Sequence, residues 1–209
     1  MRLHRILGLG DFGTNCYIIE TEHKDAVIID APYSADIISR EIDRLGLSLK
    51  MILLTHGHCD HIEAIGGLVE KYGCEVYIAE QDAAMLQSRR LCLAEYFNSD
   101  FAPFNGAKTL TDGDTVSLDG ETLTVISTPG HSNGSVCYIH KDAIFTGDTL
   151  FQDSVGRTDF PDGDFAMEIS SIAKLYSAVD KNYVIYPGHG EASDLESELK
   201  YNPYLEMLR

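Results

Sequence analysis

The 209-residue sequence has no tryptophan, few cations and no long apolar run. It has 16 Lys and Arg against 33 Asp and Glu, a formal net charge of −17. Proteins that bind nucleic acid or anionic membranes need clustered cations, which disfavours both as partners. The longest apolar runs, such as 26–29 and 51–54, are far shorter than the roughly 18 residues of a membrane span. We therefore expect a protein that acts on neither nucleic acid nor membrane.

The pattern of the cysteines does not indicate a disulfide framework. The five cysteines, at positions 16, 59, 74, 92 and 137, are odd in number and include no Cys-x-x-Cys pair. This pattern favours reduced thiols and predicts a cytoplasmic location. The apolar stretch within the first residues is too short for a signal peptide. Because no linker or short repeat interrupts the chain, we expect residues 1–209 to form a single domain. The oligomeric state is not predicted.

One glycine motif suggests a nucleotide site but does not fit it. Residues 8–13, GLGDFG, match the G-x-G-x-x-G pattern of dinucleotide-binding loops. In such a loop the last glycine opens a helix, whereas the residues that follow here, TNCYIIETEHKDAVIID, are β-branched and punctuated by turns. The motif therefore predicts a hairpin turn.

Hydrophobic periodicity divides the chain into two similar halves. In the first half it predicts helices after Ser34, over 61–72 and over 81–96, and strands over 2–7, 14–20, 25–30, 51–54 and 75–79. In the second half it predicts a helix capped by Asp164, and strands over 115–118, 122–127, 135–140, 142–146 and 183–186. The predicted fold is α/β, with two sheets covered by helices on their outer faces.

The segment THGHCDH, residues 55–61, directly follows the apolar run 51–54. Buried strands of α/β proteins end where ligands usually bind. Strand alternation lets His56 and His58 project to the same side, while Asp60 and His61 turn toward a second point nearby. Three histidines and a carboxylate within six positions suit zinc or a similar metal. The segment therefore predicts a metal site.

Three further ligand-type residues share this placement at a strand end. His131 lies in TPGHS, Asp148 in TGDT and His189 in PGHG, each beside a glycine that lets the backbone turn sharply. The remaining histidines lack this context and are expected to be structural: His4, His23 and His140. Both halves of the chain therefore contribute to one predicted metal centre.

The H-x-H-x-D-H segment, completed by His131, Asp148 and His189, resembles the metallo-β-lactamase superfamily. The segments TPGHS, FTGDTLF, GRTDFPDGD and YPGHG resemble more closely the glyoxalase II-like hydrolases, particularly the short bacterial kind. The resemblance runs from about residue 14 to residue 190 and implies an αββα four-layer sandwich of two similar halves. The flanking motifs favour the glyoxalase II-like group over the lactamases.

The resemblance also implies two divalent metal ions, zinc with iron or manganese as alternatives. Its residue pattern assigns His56, His58 and His131 to one ion, assigns Asp60, His61 and His189 to the other, and places Asp148 between the two. In this family a hydroxide held between the cations attacks a carbonyl, with Asp60 and Asp148 as the catalytic carboxylates. A thioester releases a thiolate, whose conjugate acid has a pKa near 8.5, so it can depart without a proton donor. The expected activity is hydrolysis of a small anionic thioester such as S-lactoylglutathione or a related acyl thiol.

Two questions stay open at this point. Persulfide dioxygenases of the same superfamily use one iron held by two histidines and a carboxylate, here His56, His131 and Asp148, so this oxidoreductase activity is the alternative. Larger glyoxalase II proteins have a C-terminal helical domain that supplies cationic contacts to glutathione. Here Lys200 and Arg209 are the only cations after His189. Whether glutathione is the thiol of the substrate therefore stays open.

Residues of the GRTDF loop and the segment before it are candidates for substrate binding. Arg157 suits an anionic substrate group, because guanidinium pairs with carboxylates, or it forms an ion pair with Asp159 or Asp164. Thr149 and Phe151 follow Asp148 and are expected to line the pocket.

Other residues near the predicted ligands have two interpretations. Asp30 either hydrogen-bonds a ligand histidine or is a carboxylate of a strand-end turn. Cys59 is expected to point away from the metals as a buried filler. The aromatic stretch 96–104 either packs in the core or walls the pocket.

Overall fold

Two six-stranded sheets form the centre of the molecule in the computed structural model, which describes residues 2–209. The first sheet has its strands in chain order: Arg2–Leu9 (β1), Thr14–Glu20 (β2), Asp25–Ile29 (β3), Ser48–Leu53 (β4), Glu75–Ala79 (β5) and Lys108–Leu110 (β6). β1, β2 and β3 are antiparallel, and β3 to β6 are parallel.

The second sheet has the strand order β14-β13-β10-β9-β8-β7. Its strands are Thr115–Leu118 (β7), Glu121–Ser127 (β8), Val136–His140 (β9), Ala143–Gly147 (β10), Val184–Pro187 (β13) and Ser193–Asp194 (β14). A short ribbon follows β10 and is made of Leu150–Phe151 (β11) and Ser154–Val155 (β12). β10 and β13 are parallel, so their carboxyl ends lie at the same edge.

Helices cover the outer faces of the sheets. They are Ala35–Leu45 (α1), Cys59–Ile62 (α2), Ile65–Tyr72 (α3), Ala94–Phe97 (α4), Phe165–Ser177 (α5) and Leu195–Tyr201 (α6), with 3₁₀ helices at Glu80–Gln87 and Pro203–Leu208. No helix within residues 2–209 is long and apolar enough to cross a membrane.

Three apolar clusters separate four layers. Ile38 of α1 packs with Ile52 in one cluster, Leu53 packs with Phe145 of the facing sheet in a second, and Ile172 of α5 packs on the second sheet in a third. Adjacent residues Ile52 and Leu53 point to opposite faces, as strand alternation requires, so β4 is buried on both sides. The predicted αββα architecture is confirmed.

Local signals place several element ends where the sequence predicts them. α1 ends at Gly46, which adopts a left-handed φ of 67°. The Asp164 carboxylate caps α5 by accepting a hydrogen bond from the Met167 amide at 2.9 Å. β1 and β2 pair as an antiparallel hairpin joined by the glycine-rich turn, so the hairpin interpretation of GLGDFG is confirmed.

Two helix predictions are wrong, and both errors have tertiary causes. The helix expected over 61–72 is divided into α2 and α3, because the Ala64 amide donates to the Ala31 carbonyl at 2.9 Å rather than continuing α2. The helix expected over 81–96 is a 3₁₀ helix and the short α4, separated by turns that end at Leu93 with φ 66°. The edge strand β6 was not predicted.

Candidate metal centre

The seven predicted ligands converge at one edge of the two sheets. His56 and His58 follow β4, and Asp60 and His61 lie in α2. Three more residues come from the second half: His131 follows β8, Asp148 follows β10, and His189 follows β13. Because β3 and β4 are parallel, as are β10 and β13, their carboxyl ends bring these turns together.

The ligand-type atoms form three overlapping groups in which all atoms lie within 4.8 Å of one another. The first group is His56, His58 and His131, the second is His56, His61 and Asp148, and the third is Asp60, His61 and His189. The structure therefore brings together all seven residues that the sequence analysis singled out. His4, His23 and His140 lie outside these groups and hydrogen-bond Glu20, Asp119 and the Thr122 carbonyl, respectively.

Outer hydrogen bonds fix which nitrogen of three histidines faces the centre. His61 Nδ1 donates to Asp30 Oδ2 at 2.8 Å, His131 Nδ1 donates to the Arg157 carbonyl at 2.8 Å, and His189 Nδ1 donates to the Phe12 carbonyl at 3.0 Å. In the neutral tautomer each inward Nε2 then carries a lone pair. Ligating histidines in metal sites are oriented in this way by an outer carboxylate or carbonyl.

Asp30 organises ligands of more than one group. Its carboxylate accepts hydrogen bonds from His61, from the Thr55 amide at 2.8 Å and from the Thr55 hydroxyl at 2.8 Å. The single hydroxyl proton of Thr55 is thus committed to Asp30, so Thr55 Oγ1 accepts from His56 Nδ1 at 3.1 Å. Asp30 orients His61 directly and His56 through Thr55. Of its two interpretations, the hydrogen bond to a predicted ligand is the one observed.

Burial and charge act in opposite directions on the histidines. Burial lowers the pKa of His56 well below its usual value, and burial with the neighbouring His131 lowers that of His58 to about 3. For His61 burial also disfavours the charged form, but the carboxylates of Asp148, Asp60 and Asp30 outweigh it and raise its pKa well above the usual value.

The same balance holds for His189 and for the carboxylates beside it. Burial opposes the charge of His189, but Asp148 and Asp60 raise its pKa to about 10. Burial likewise opposes the charge of Asp60, but His61 and His189 lower its pKa to about 2. The pKa of Asp148 is lowered well below its usual value by the same two histidines.

Buried nitrogen and oxygen atoms that lack a hydrogen-bond partner indicate that these residues fit a metal cation. His56 Nε2 and Asp148 Oδ1 are buried and have no hydrogen-bond partner within residues 2–209. His131 Nε2, which carries a lone pair, lies 2.8 Å from His58 Nδ1, whereas the Nε2 atoms of His61 and His189, which hold protons when no metal is bound, lie 3.3 Å apart. Buried lone pairs that point at common positions are unfavourable unless a proton or a cation lies between them. Nitrogen and carboxylate donors in this combination suit borderline divalent metals.

Comparison with known proteins identifies the family. Residues 9–189 match the metallo-β-lactamase superfamily, a span that includes all seven ligand-type residues. The chain belongs to the metallo-β-lactamase superfamily. The resemblance predicted from the H-x-H-x-D-H segment is confirmed.

Relatives within the superfamily narrow the chemistry. The chain is 34% identical to a Haemophilus influenzae protein named hydroxyacylglutathione hydrolase GloC, with 96% of each chain covered. It is similar to the crystal structure of BLEG-1 B3 metallo-beta-lactamase, with a TM-score of 0.89 and 31% identity over 98% of this chain and 100% of that one. It is also similar to TTHA1623 in a di-iron-bound form, with a TM-score of 0.86 and 31% identity over 97% and 100%. The superfamily match and the relative named as a hydrolase place the chain among the metal-dependent hydrolases.

A cavity of about 140 Å³ opens onto the superfamily's metal centre. We call it the metal-side cavity. Besides the ligand residues, its walls are Phe12, Leu93, Phe97, Arg157 and Phe160. Of the aromatic stretch 96–104, Phe97 lines this cavity whereas Phe101 and Phe104 pack in or against the core, so each interpretation holds for part of the stretch.

The three predicted substrate-binding residues have different positions. Arg157 lines the metal-side cavity with its guanidinium 4.2 Å from the centre of the Phe160 ring, and it pairs with Asp159 through two contacts of 2.7 Å. The Phe151 ring lies 6.1 Å from that of His189. Thr149 is fully buried, and its hydroxyl bonds that of Thr128, so the structure does not bring it to the cavity.

Two residues near the centre were missed by sequence reasoning. The Thr14 hydroxyl donates to Asp60 Oδ2 at 2.9 Å, which holds that carboxylate in place. Asp82 is buried and accepts from the Gly57 amide at 3.0 Å and the Gly134 amide at 2.7 Å, tying the ligand loop of one half to that of the other. The only sequence signal for this role of Asp82 is an aspartate within a predicted helix, and that signal does not identify the amides to which it binds.

Cys59 lies between ligand residues in the sequence but packs in the apolar cluster beneath α2. Burial raises the pKa of its thiol to about 12, so the thiolate that a metal requires is disfavoured.

Proposed function

We propose that this hydrolase cleaves thioesters of small acids, such as S-lactoylglutathione or a related acyl thiol, with two divalent cations as cofactors. The observation that carries the proposal is the set of overlapping ligand groups, which joins seven side chains around two neighbouring positions. The relative named hydroxyacylglutathione hydrolase, similar over nearly its whole length, supports the thioester as substrate.

The residues divide naturally between two ions. His56, His58 and His131 would hold one, and Asp60, His61 and His189 the other. Asp148 would lie between them, since its carboxylate oxygens are 3.3 Å from His61 Nε2, 3.3 Å from His189 Nε2 and 3.6 Å from His131 Nε2. Zinc fits these donors, and iron, present in one solved relative, is the alternative. Bound divalent cations supply a strong nucleophile from water at neutral pH and polarise an acyl oxygen.

The chain's own side chains position the reaction. Asp60 stays ionised, because its pKa is about 2, and the hydrogen bond from Thr14 leaves its other oxygen available to orient an attacking water. The rings of Phe12, Phe97 and Phe160 wall the cavity and exclude bulk water from the acyl group. The departing thiolate needs no proton donor, in contrast to the nitrogen of an amide.

We further propose a cytoplasmic location and a small anionic substrate. All five cysteines are buried free thiols, which suits a reducing compartment. Two divalent ions would add four positive charges to a chain of net charge −17, so the centre would attract an anion locally.

Metal analysis and a substrate panel test the proposal together. The protein is expressed without added metal, its metal content is measured, and hydrolysis of acyl thioesters is followed by release of free thiol. We expect close to two ions per chain and thiol release that chelation abolishes and metal restores. Fully metal-loaded protein that turns over no acyl thioester would contradict the proposal.

Two further substrates address the competing activities. A β-lactam is included because one solved relative is named as a lactamase. Glutathione persulfide, with oxygen uptake as the readout, tests the dioxygenase alternative, which would use one iron per chain at His56, His131 and Asp148. A higher kcat/KM for either of these than for every thioester would replace thioester hydrolysis as the assignment.

A further inference from the structure

The metal-side cavity is too small for a whole thioester of the proposed kind. Its volume of about 140 Å³ is well below the roughly 300 Å³ at which pockets for drug-sized ligands begin. It can receive the acyl group beside the ligand residues. The thiol half of the substrate must extend into another part of the surface.

Two further cavities adjoin this one and differ in charge. The first, of about 130 Å³, is lined by the carboxylates of Asp11, Asp60, Glu63 and Asp100. The second, of about 440 Å³, is lined by the apolar side chains of Met85, Leu91 and Pro161, by the guanidinium of Arg90 and by one carboxylate, that of Asp162. We call the second one the Arg90 cavity. The first cavity presents carboxylates without a cation, whereas the second balances one carboxylate with the Arg90 guanidinium, so an anionic group is repelled less by the second.

The Arg90 cavity adjoins the metal-side cavity. Leu93 lines both it and the metal-side cavity, and the chain neighbours Phe160 and Pro161 line one each. Met85 forms part of its floor and packs so closely on Gly57, between His56 and His58, that a Cβ there would overlap the Met85 side chain. A substrate whose acyl carbon lies at the centre can therefore extend past Leu93 into the Arg90 cavity.

Arg90 is the cation available to such a substrate. Within residues 2–209 no hydrogen-bond or ion-pair partner of its guanidinium is found, although the protein has about twice as many acids as bases. The neighbouring cations are engaged: Arg89 donates to the carbonyls of Phe101 and Ser99, and Arg157 is paired with Asp159. Arg209, near the C-terminus, donates to the carbonyls of Leu199 and Asn202.

We propose that the Arg90 cavity binds the thiol half of the substrate and that Arg90 pairs with an anionic group on it, a carboxylate or a phosphate. This inference rests on the proposed thioester hydrolysis, because it assigns a place to the leaving group of that reaction. It makes Arg90 a specificity residue, which contributes to KM and leaves the chemical step unchanged.

Charge variants and matched substrates test the pairing. The variants are Arg90→Ala, Arg90→Glu and Arg90→Lys, with Arg40→Ala and Arg40→Glu on the distant helix α1 as controls of equal charge change. The same acyl group is presented on glutathione, which carries carboxylates, on coenzyme A, which carries phosphates, and on neutral N-acetylcysteamine. The two anionic thiols distinguish a carboxylate from a phosphate as the group recognised.

We expect Arg90→Ala to raise KM for the preferred anionic thioester about fivefold, the upper range for an exposed ion pair. Arg90→Glu should raise it by about tenfold or more through added repulsion, and Arg90→Lys should restore most of the loss. kcat, and KM for the neutral thioester, should stay unchanged. An anionic-to-neutral ratio of kcat/KM that is the same in Arg90→Glu as in Arg40→Glu would overturn the proposal.

A volume variant gives an independent measurement. Ala84 is exposed and lines the Arg90 cavity, so Ala84→Phe fills it without disturbing the core. We expect KM to rise for both large thiols and to stay the same for the thioester of methanethiol. Equal KM values for wild type and Ala84→Phe with both large thiols would place the thiol half elsewhere.

Binding of inert thioethers separates this inference from the proposed reaction. S-alkyl derivatives of the same three thiols are titrated into the purified protein by calorimetry. If the wild type hydrolyses no thioester, the proposed function fails. Thioether binding still shows whether the Arg90 cavity binds the thiol half. Binding of an anionic thioether that is lost in Arg90→Glu and kept in Arg40→Glu supports the cavity, whereas no binding, or equal binding by all variants, overturns it.

Discussion

Two of the three ligand groups, His56, His58 and His131 on one side and Asp60, His61 and His189 on the other, are called here the outer ligand groups. They place histidines in opposite electrostatic settings. His56 and His58 are surrounded by other rings and by apolar packing, and burial lowers their pKa values. His61 and His189 lie against the carboxylates of Asp60 and Asp148, which raise theirs. Without metal, His56 and His58 offer lone pairs at neutral pH, whereas His61 and His189 hold protons. The position of the carboxylates, and not the number of histidines, sets this difference.

The largest effect is expected from removing the charge that the two groups share. Asp148→Asn leaves the side chain isosteric but takes a carboxylate from beside His61, His189 and His131. We expect kcat/KM to fall about a thousandfold, a loss of several kcal/mol of transition-state stabilisation, with metal content below that of the wild type. Kinetics and metal analysis of the same preparation measure both. Asp142→Asn, at an exposed ion pair with Lys181, is the control, and equal activity in the two variants would contradict a shared role for Asp148.

A smaller effect is expected from the outer hydrogen bonds. Asp30→Asn removes an acceptor from His61 and from Thr55, and so loosens a ligand in each group. We expect metal affinity to fall about tenfold to hundredfold, as is typical for such outer partners. Thr55→Val removes the acceptor of His56 but only one of the hydrogen bonds to Asp30, which still accepts from His61, so it should weaken the ion at His56 more than the other. Competition with a chelating dye resolves the two affinities, and the comparison fails if Thr55→Val weakens both ions as much as Asp30→Asn does.

The smallest effect is a difference in pH dependence between the two ions. The raised pKa values of His61 and His189, about 10 for the latter, keep them protonated at pH 7, so a metal ion must displace protons to bind there. His58, with a pKa of about 3, needs no such displacement. Between pH 7 and pH 6 we expect the affinity of the Asp60, His61 and His189 group to fall about tenfold per displaced proton, whereas at the other ion His56 and His58 have no protons to displace.

Calorimetric titration of the metal-free protein in two buffers of different ionisation enthalpy measures the protons released by each ion. Release confined to one of two binding events is the expected result. Equal release in both events, or none in either, would show that the two groups do not differ in protonation.

The site was more predictable than the elements around it. Side-chain alternation and glycine turns at strand ends place His56, His58, His131 and His189 from sequence alone, since these signals lie within a few residues of each ligand. The helix ends at Gly46 and Asp164 were predictable for the same reason, because the capping residue itself is the signal. Long-range contacts were not readable: Asp82 binds amides that are 25 and 52 residues away in the chain, and Thr14 binds a carboxylate 46 residues away.

The same contacts explain the wrong helix over 81–96. Drawing the Asp82 carboxylate inward to the Gly57 and Gly134 amides commits residues 80–87 to a 3₁₀ turn beside the ligand loops. The helical periodicity of that stretch is real, but a tertiary contact outweighs it. The Arg90 cavity is lined in part by residues of this 3₁₀ segment and of the turns that follow it.

Each outer ligand group takes residues from both halves of the chain. His58 and His131 are 73 positions apart, and His61 and His189 are 128 apart. An ion held by either group is therefore a cross-link that closes a long loop, and closing a loop of that size in an unfolded chain carries a large entropic cost. Metal supply in the cell would then govern how long this protein survives as well as how fast it works.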